Sequence, residues 1–157
     1  MKITFLLNGK TEEDYIEKGL EAYEKRIVRY ISYQRIEIPS PKTQAGAREA
    51  FVRDAEAGLM EKYITTGSEL VLLDEKGKMM SSTEFAAWLQ QKMNAGTKKL
   101  LFAVGGPYGF HESIVRKSNH LLSLSPMTFP HQLVRLIFAE QLYRALTILR
   151  NEPYHHE

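Results

Sequence analysis

With 157 residues, 43% hydrophobic and 25% charged, the chain can bury one globular core and is too rich in apolar residues to be disordered along its length. A formal charge of +2 permits contact with a polyanion but excludes a strong non-specific electrostatic footprint. The absence of cysteine excludes disulfides, thiolate-ligated zinc and a cysteine nucleophile, including one that would attack a pyrimidine ring.

The opening run MKITFLLNGK is too short for a secretory h-region, and no stretch approaches the ~18 apolar residues of a membrane span. A soluble, cytoplasmic protein is expected. Residues 3–7 predict a strand and Asn8-Gly9 its turn. Thr11 is placed to cap a helix whose first turn holds Glu12, Glu13 and Asp14. Tyr15, Ile16, Leu20, Tyr23, Ile27 and Tyr30 follow at helical spacing. Residues 35–38 alternate as a second strand, which Pro39 stops. A polar loop over residues 39–46 precedes a helix expected to bury Phe51, Ala55, Leu59 and Tyr63.

The continuous apolar run 70–73 predicts a strand covered on both faces, and residues 74–77 a turn. Ser81 with Glu84 is a capping-box pattern opening a helix with Phe85, Trp88, Leu89 and Met93, closed by Gly96. Residues 100–104 form another buried-type strand. A short helix over 112–117, a strand over 121–124 and a long helix from Pro130 to about Leu149 complete the chain. Strand and helix alternate, so the fold is α/β, with a mostly parallel sheet and helices on both faces, in one domain over residues 1–157.

Four segments can carry chemistry. Gly105-Gly106-Pro107-Tyr108-Gly109 follows a buried strand, where open α/β sheets bind ligands. It lacks the G-x-G-x-x-G pattern and reads either as a ligand loop or as a tight turn. The apolar, proline-containing stretch 122–131 is either a pocket wall or a packed connector. The last helix is apolar nearly all round and must be buried in the domain or in a subunit interface. On it, Glu140, Arg144 and Thr147 share one side, and His131 and Arg135 share roughly the other. Glu140 and Arg144 can be an ordinary helical ion pair, but charges on such a helix call for a reason. The tail Pro153-Tyr154-His155-His156-Glu157 offers an aromatic to stack on a base and imidazoles to move a proton. No H-E-x-x-H or carboxylate cluster accompanies the histidines, so no metal site is expected.

The GGPYG turn, the LSLSPMTFPHQLVRLIFAEQLYRA run and the NEPYHHE end resemble the bacterial ribosomal large subunit methyltransferase H family, of the SPOUT class. The MKIT start, the Tyr23-Glu24-Lys25-Arg26 helix and the strand ending at Pro39 extend the resemblance over the full length. Departures are confined to Tyr108 and to a residue pair after His155. The resemblance implies a C-terminal trefoil knot, a homodimer and S-adenosylmethionine as cofactor. It implies methylation of N3 of a pseudouridine in large-subunit ribosomal RNA, on the assembled ribosome. It assigns cofactor binding to Leu73, Gly105, Leu124, Ser125, Pro126, Met127, Thr128 and Phe129, and catalysis to Tyr154, His155 and Arg144. On this reading Tyr154 stacks on or orients the base, His155 accepts the proton or fixes the base, and Arg144, oriented by Glu140, counters negative charge. A ribosome-binding factor that keeps the fold without the chemistry is the alternative. A phosphate-binding enzyme ranks last, because neither Lys nor Ser/Thr follows the glycine turn.

Overall fold

A computed structural model describes residues 1–42 and 46–155. Part of the polar loop (Thr43, Gln44, Ala45) and the last two residues, His156 and Glu157, lie outside the described residues. Five strands, β1 (Lys2–Asn8), β2 (Ser32–Ile38), β3 (Ser68–Met79), β4 (Lys99–Val104) and β5 (His120–Ser123), form one sheet in the order β2-β1-β4-β3-β5. Every pairing is parallel. The crossovers contain α1 (Asp14–Ile27), α2 (Glu49–Met60), α3 (Ser82–Asn94) and α4 (Glu112–Lys117), and α5 (His131–Leu149) ends the fold.

The central strands β1, β4 and β3 are apolar on both faces, and the period of two divides them between two cores. Ile3, Phe5, Leu7, Val71, Leu73, Leu100, Phe102 and Val104 face α1, α3 and α5. Leu6, Leu70, Leu72, Leu101 and Ala103 face α2 and α4. Phe138 of α5 lies 4.7 Å from Phe5 and 4.6 Å from Phe102, centroid to centroid, and so seats the last helix on the centre of the sheet.

Local signals fix several boundaries. Ser81 and Glu84 make both hydrogen bonds of the capping box at the start of α3. Thr11 does not cap α1. Its hydroxyl donates to Glu37 and receives Arg135, and Glu13 holds the cap position without a side-chain bond. Tyr15 is exposed, leaving Ile16, Leu20 and Ile27 as the buried line of α1. In α2 the expected face is kept only in part, with Leu59 and Tyr63 packed against the second core. Phe51 is 60% exposed, while Glu56, Ala57 and Met60 are buried. The inward glutamate is what the hydrophobic pattern concealed.

The expected turn at residues 74–77 lies inside β3. Leu73 pairs with Leu122, the next four residues bulge, and Lys78 pairs with Leu122 again. Leu122 thus pairs with both limbs of the bulged strand. Gly77 makes this possible, since a Cβ there would come within 2.5 Å of the Leu122 nitrogen and 2.6 Å of the Leu121 carbonyl carbon. These are backbone atoms and cannot yield cheaply. Gly77→Ala is therefore expected to cost about 1–3 kcal/mol or more in urea unfolding. A cost near zero would mean the two limbs separate freely.

Candidate active site

The carboxyl ends of β3, β4 and β5 open into a cavity of about 550 Å³. That volume suits a nucleoside-sized ligand. Leu73 ends the regular part of β3, Val104 ends β4 and Gly105 begins its turn, and Leu122 and Ser123 close β5; all line the cavity. Leu124, Ser125, Met127, Thr128 and Phe129 complete one wall, whereas Pro126 is exposed and lies outside it. The loop is no buried connector. Residues 126–128 are exposed, and Met127, at 72%, stands on the rim.

Residues 124–129 make no backbone-to-backbone hydrogen bond among the described residues. The segment is shaped by side chains instead. The Ser123 hydroxyl donates to the Ser125 carbonyl, and the Met127 amide donates to the Ser125 hydroxyl. The Thr128 hydroxyl donates to Glu75 at 3.0 Å, tying the loop to the bulge of β3. Apart from the Ser125 carbonyl and the Met127 amide, the segment's backbone groups are left for a ligand, as recognition of a heterocyclic base requires.

Sequence reasoning missed Arg53, which reaches the cavity from α2, and the part played by His131 and Val134 at the start of α5. Burial, then the charge of Arg135, lowers the pKa of His131, which favours the uncharged ring. Arg135 lines no cavity. It is fully buried and donates to the carbonyls of Asn8 and Gly9 and to the Thr11 hydroxyl.

Arg144, Tyr154 and His155 form a second constellation at the far end of α5. Arg144 Nε donates to Glu140 at 3.0 Å, and its guanidinium lies over the Tyr154 ring at 4.8 Å. Its Nη1 is 3.4 Å from His155 Nδ1. The Tyr154 hydroxyl donates to Glu140, and the ring meets Tyr143 edge-on at 4.7 Å. The chain end is thus folded back onto α5 through residue 155. Desolvation, a hydrogen bond to Tyr23 and the charge of Glu140 push the Tyr154 phenol well above its usual range, so it remains a donor at physiological pH. The hydrogen bond to Glu140 likewise raises Arg144.

The two constellations are apart. His131 at the cavity and Arg144 are 13 positions apart on one helix, or about 20 Å along its axis. Between them Leu133 and Ile137 remain partly exposed, and with Glu140 and Arg144 they form one stripe along α5. Among the described residues, no group of three potential metal ligands occurs, and no helix is long and apolar enough to cross a membrane.

A parallel α/β sheet with a ligand cavity at the ends of β3, β4 and β5 and a returning C-terminal tail defines a class. The family model described as "Predicted SPOUT methyltransferase" matches residues 1–155, and the chain belongs to that family. Within it, the chain is 46% identical over 157 residues to a Parabacteroides distasonis protein named ribosomal RNA large subunit methyltransferase H, covering all of both chains. A Flavobacterium johnsoniae protein of the same name is 45% identical, again over all of both chains. Among solved structures, a probable methyltransferase from Bordetella pertussis superposes with a TM-score of 0.55 at 12% identity, covering 92% of this chain and 96% of that one. That last likeness concerns the fold alone.

Proposed function

We propose that this chain, as a single domain over residues 1–157, methylates N3 of a pseudouridine in large-subunit ribosomal RNA, with S-adenosylmethionine as donor and the assembled ribosome as substrate. The observation that carries the reading is the cavity, which gathers Leu73, Gly105 and the loop 124–129 from three separate segments. The names of relatives 45–46% identical over the full length support the RNA class. Membership of the SPOUT family supports a trefoil knot as the way the C-terminal part is threaded.

The distance between cavity and tail supports a homodimer. Arg144 stands ten residues, about 15 Å along α5, beyond Val134 at its own cavity, a gap that a second chain closes by bringing its tail across. The stripe of Leu133, Ile137, Glu140 and Arg144 supplies a surface for that contact.

When bound, S-adenosylmethionine supplies an electrophilic methyl group on a sulfonium. Leu124, Ser125, Met127, Thr128 and Phe129 would hold its adenosine end, with Leu73 and Gly105 as floor. Tyr154, protonated and packed by Arg144, orients the target base. His155 turns Nδ1 toward an arginine that can only donate, so the neutral ring carries its proton on Nε2. That tautomer favours fixing an imide carbonyl over accepting the N3 proton, which then leaves to solvent. Arg144 faces the negative charge that develops on the base. Positioning supplies most of the rate, and the base must be accessible or flipped out.

The test is methyl transfer to assembled ribosomes and to the same RNA stripped of protein, read by mass spectrometry of the digested RNA. Methylation of a pseudouridine on ribosomes, with at least about tenfold less on naked RNA, is expected of a protein with so little surface for sequence readout. Equal rates on both would overturn the shape-recognition part, and no transfer to either would overturn the activity.

A further inference from the structure

Tyr23, Glu24, Lys25 and Arg26 form the last full turn of α1, and none of them lines the cavity. They meet the tail instead. The hydroxyls of Tyr23 and Tyr154 are 3.5 Å apart, and the Tyr30 hydroxyl donates to Glu152 at 2.6 Å. Tyr143 of α5 packs ring to ring against Tyr23, Tyr30 and Tyr154. The end of α1 and the returning tail thus share one tyrosine-built surface. Aromatic rings interleaved with cations are what proteins present to RNA strands.

Among the described residues, three cations lie over aromatic rings. Lys92, over Trp88, is paired with Glu69 at 2.6 Å, and Arg144, over Tyr154, is paired with Glu140. Arg26 lies 5.8 Å from the Tyr23 centroid and 5.5 Å from that of Tyr143, and no carboxylate pairs with it among the described residues. The acids around it are engaged elsewhere, Glu21 by Lys25, Glu24 by Arg35 and Tyr33, and Glu152 by Tyr30. Arg26 is nonetheless exposed. Ring faces hold a guanidinium without neutralising it and leave its in-plane N–H groups open. The side chain is therefore ordered in advance, still charged and open to solvent. Arg29 is exposed as well and follows one turn on, its amide donating to the Arg26 carbonyl, so two positive charges stand side by side. A helix C-terminus favours cations by itself, but that alone calls for no pair of tyrosines to fix one of them.

Phosphate is the anion that an RNA strand presents, and the guanidinium fork matches it. Resting on the ribosomal RNA reading above, we propose that Arg26 and Arg29 take backbone phosphates of the strand beside the target base, while Tyr154 orients the base itself. Such a contact positions the strand and reads no sequence. Both arginines belong to the chain that supplies Tyr154, so in the proposed dimer they approach the opposite cavity with it.

The experiment is methyl transfer to assembled ribosomes by full-length protein over a range of salt concentrations, with calorimetry on S-adenosylhomocysteine alongside. Arg26→Gln should raise KM for ribosomes about tenfold or more, with kcat and the affinity for S-adenosylhomocysteine within about threefold of wild type. The logarithm of kcat/KM should also fall less steeply with the logarithm of salt concentration, by about one unit, because one phosphate contact fewer releases one counterion fewer. Arg26→Lys keeps the charge and should restore most of both. Arg29→Ala removes an exposed side chain and should shift the salt slope the same way, with KM raised about threefold; it decides the matter if Arg26→Gln does not fold.

Wild-type KM and slope in these variants would overturn the phosphate contact and leave methyl transfer standing. A fall in kcat or in donor affinity at unchanged KM would make Arg26 a brace for the tail and overturn it too. So would dissociation of the dimer in Arg26→Gln, which would assign the surface to a second chain. If the wild type transfers nothing to ribosomes, both readings fail.

Discussion

Two inactive variants, one with a filled cavity and one with a disabled tail, should regain about a quarter of wild-type activity when they share a dimer population formed at equal amounts. Leu124→Trp places an indole in the wall of the cavity and should abolish donor binding. Arg144→Ala removes at one stroke the partner of Glu140, the cation over Tyr154 and the contact to His155. It should lower transfer about 10²- to 10³-fold, the usual cost of an electrostatic stabiliser, with donor affinity unchanged. In the mixture half of the dimers are hybrids, and each hybrid has one site in which an intact cavity meets an intact tail. Activity then averages about a quarter. A site completed within one chain would give no recovery at all. The spacing along α5, ten residues or about 15 Å from Val134 at the cavity to Arg144, favours the shared site that this experiment tests.

Arg135→Ala should unfold most of what α5 organises. The side chain is fully buried and donates to Asn8 at 2.7 Å, Thr11 at 3.0 Å and Gly9 at 3.2 Å. These bonds join the last helix to the end of the first strand, over more than 120 residues of sequence. Truncation leaves carbonyls without their donor and a cavity the size of an arginine. The expected loss is about 3–5 kcal/mol, a large part of a small domain's stability. Urea unfolding should give a lower midpoint with an unchanged slope. Arg135→Lys should recover little, because one ammonium on a single stem does not span three acceptors arranged for a fork. A loss under about 1 kcal/mol would mean that the carbonyls find water and that the bonds carry no net weight.

β1, β4 and the core of β3 were readable because each is a dense apolar run, as a parallel sheet covered on both faces requires, and β2 was readable by its alternation. The capping box at Ser81 and Glu84 was readable for a local reason, since both bonds lie within one turn. Thr11 was misread because its competitors are remote. Arg135 and Glu37, far away in sequence, outbid the nearby amides that a cap would satisfy. The face of α2 was only partly read, because burial of Glu56 contradicts hydrophobic periodicity. Of the candidate site, the segments around Gly105, residues 124–129 and the tail were each visible as unusual stretches. That the first two line one cavity, that Arg53 joins them, and that Pro126 faces away are consequences of strand register.

By itself the sequence determined the class of fold, the alternation of elements and the family, because these rest on local periodicity and on runs of residues that match as strings. Only the tertiary structure decided which residues meet. Register placed Leu122 between Leu73 and Lys78, the axis of α5 separated Arg144 from the cavity, and the rotation of α2 turned a carboxylate inward. Each depends on contacts between residues tens of positions apart, whose geometry no local pattern encodes.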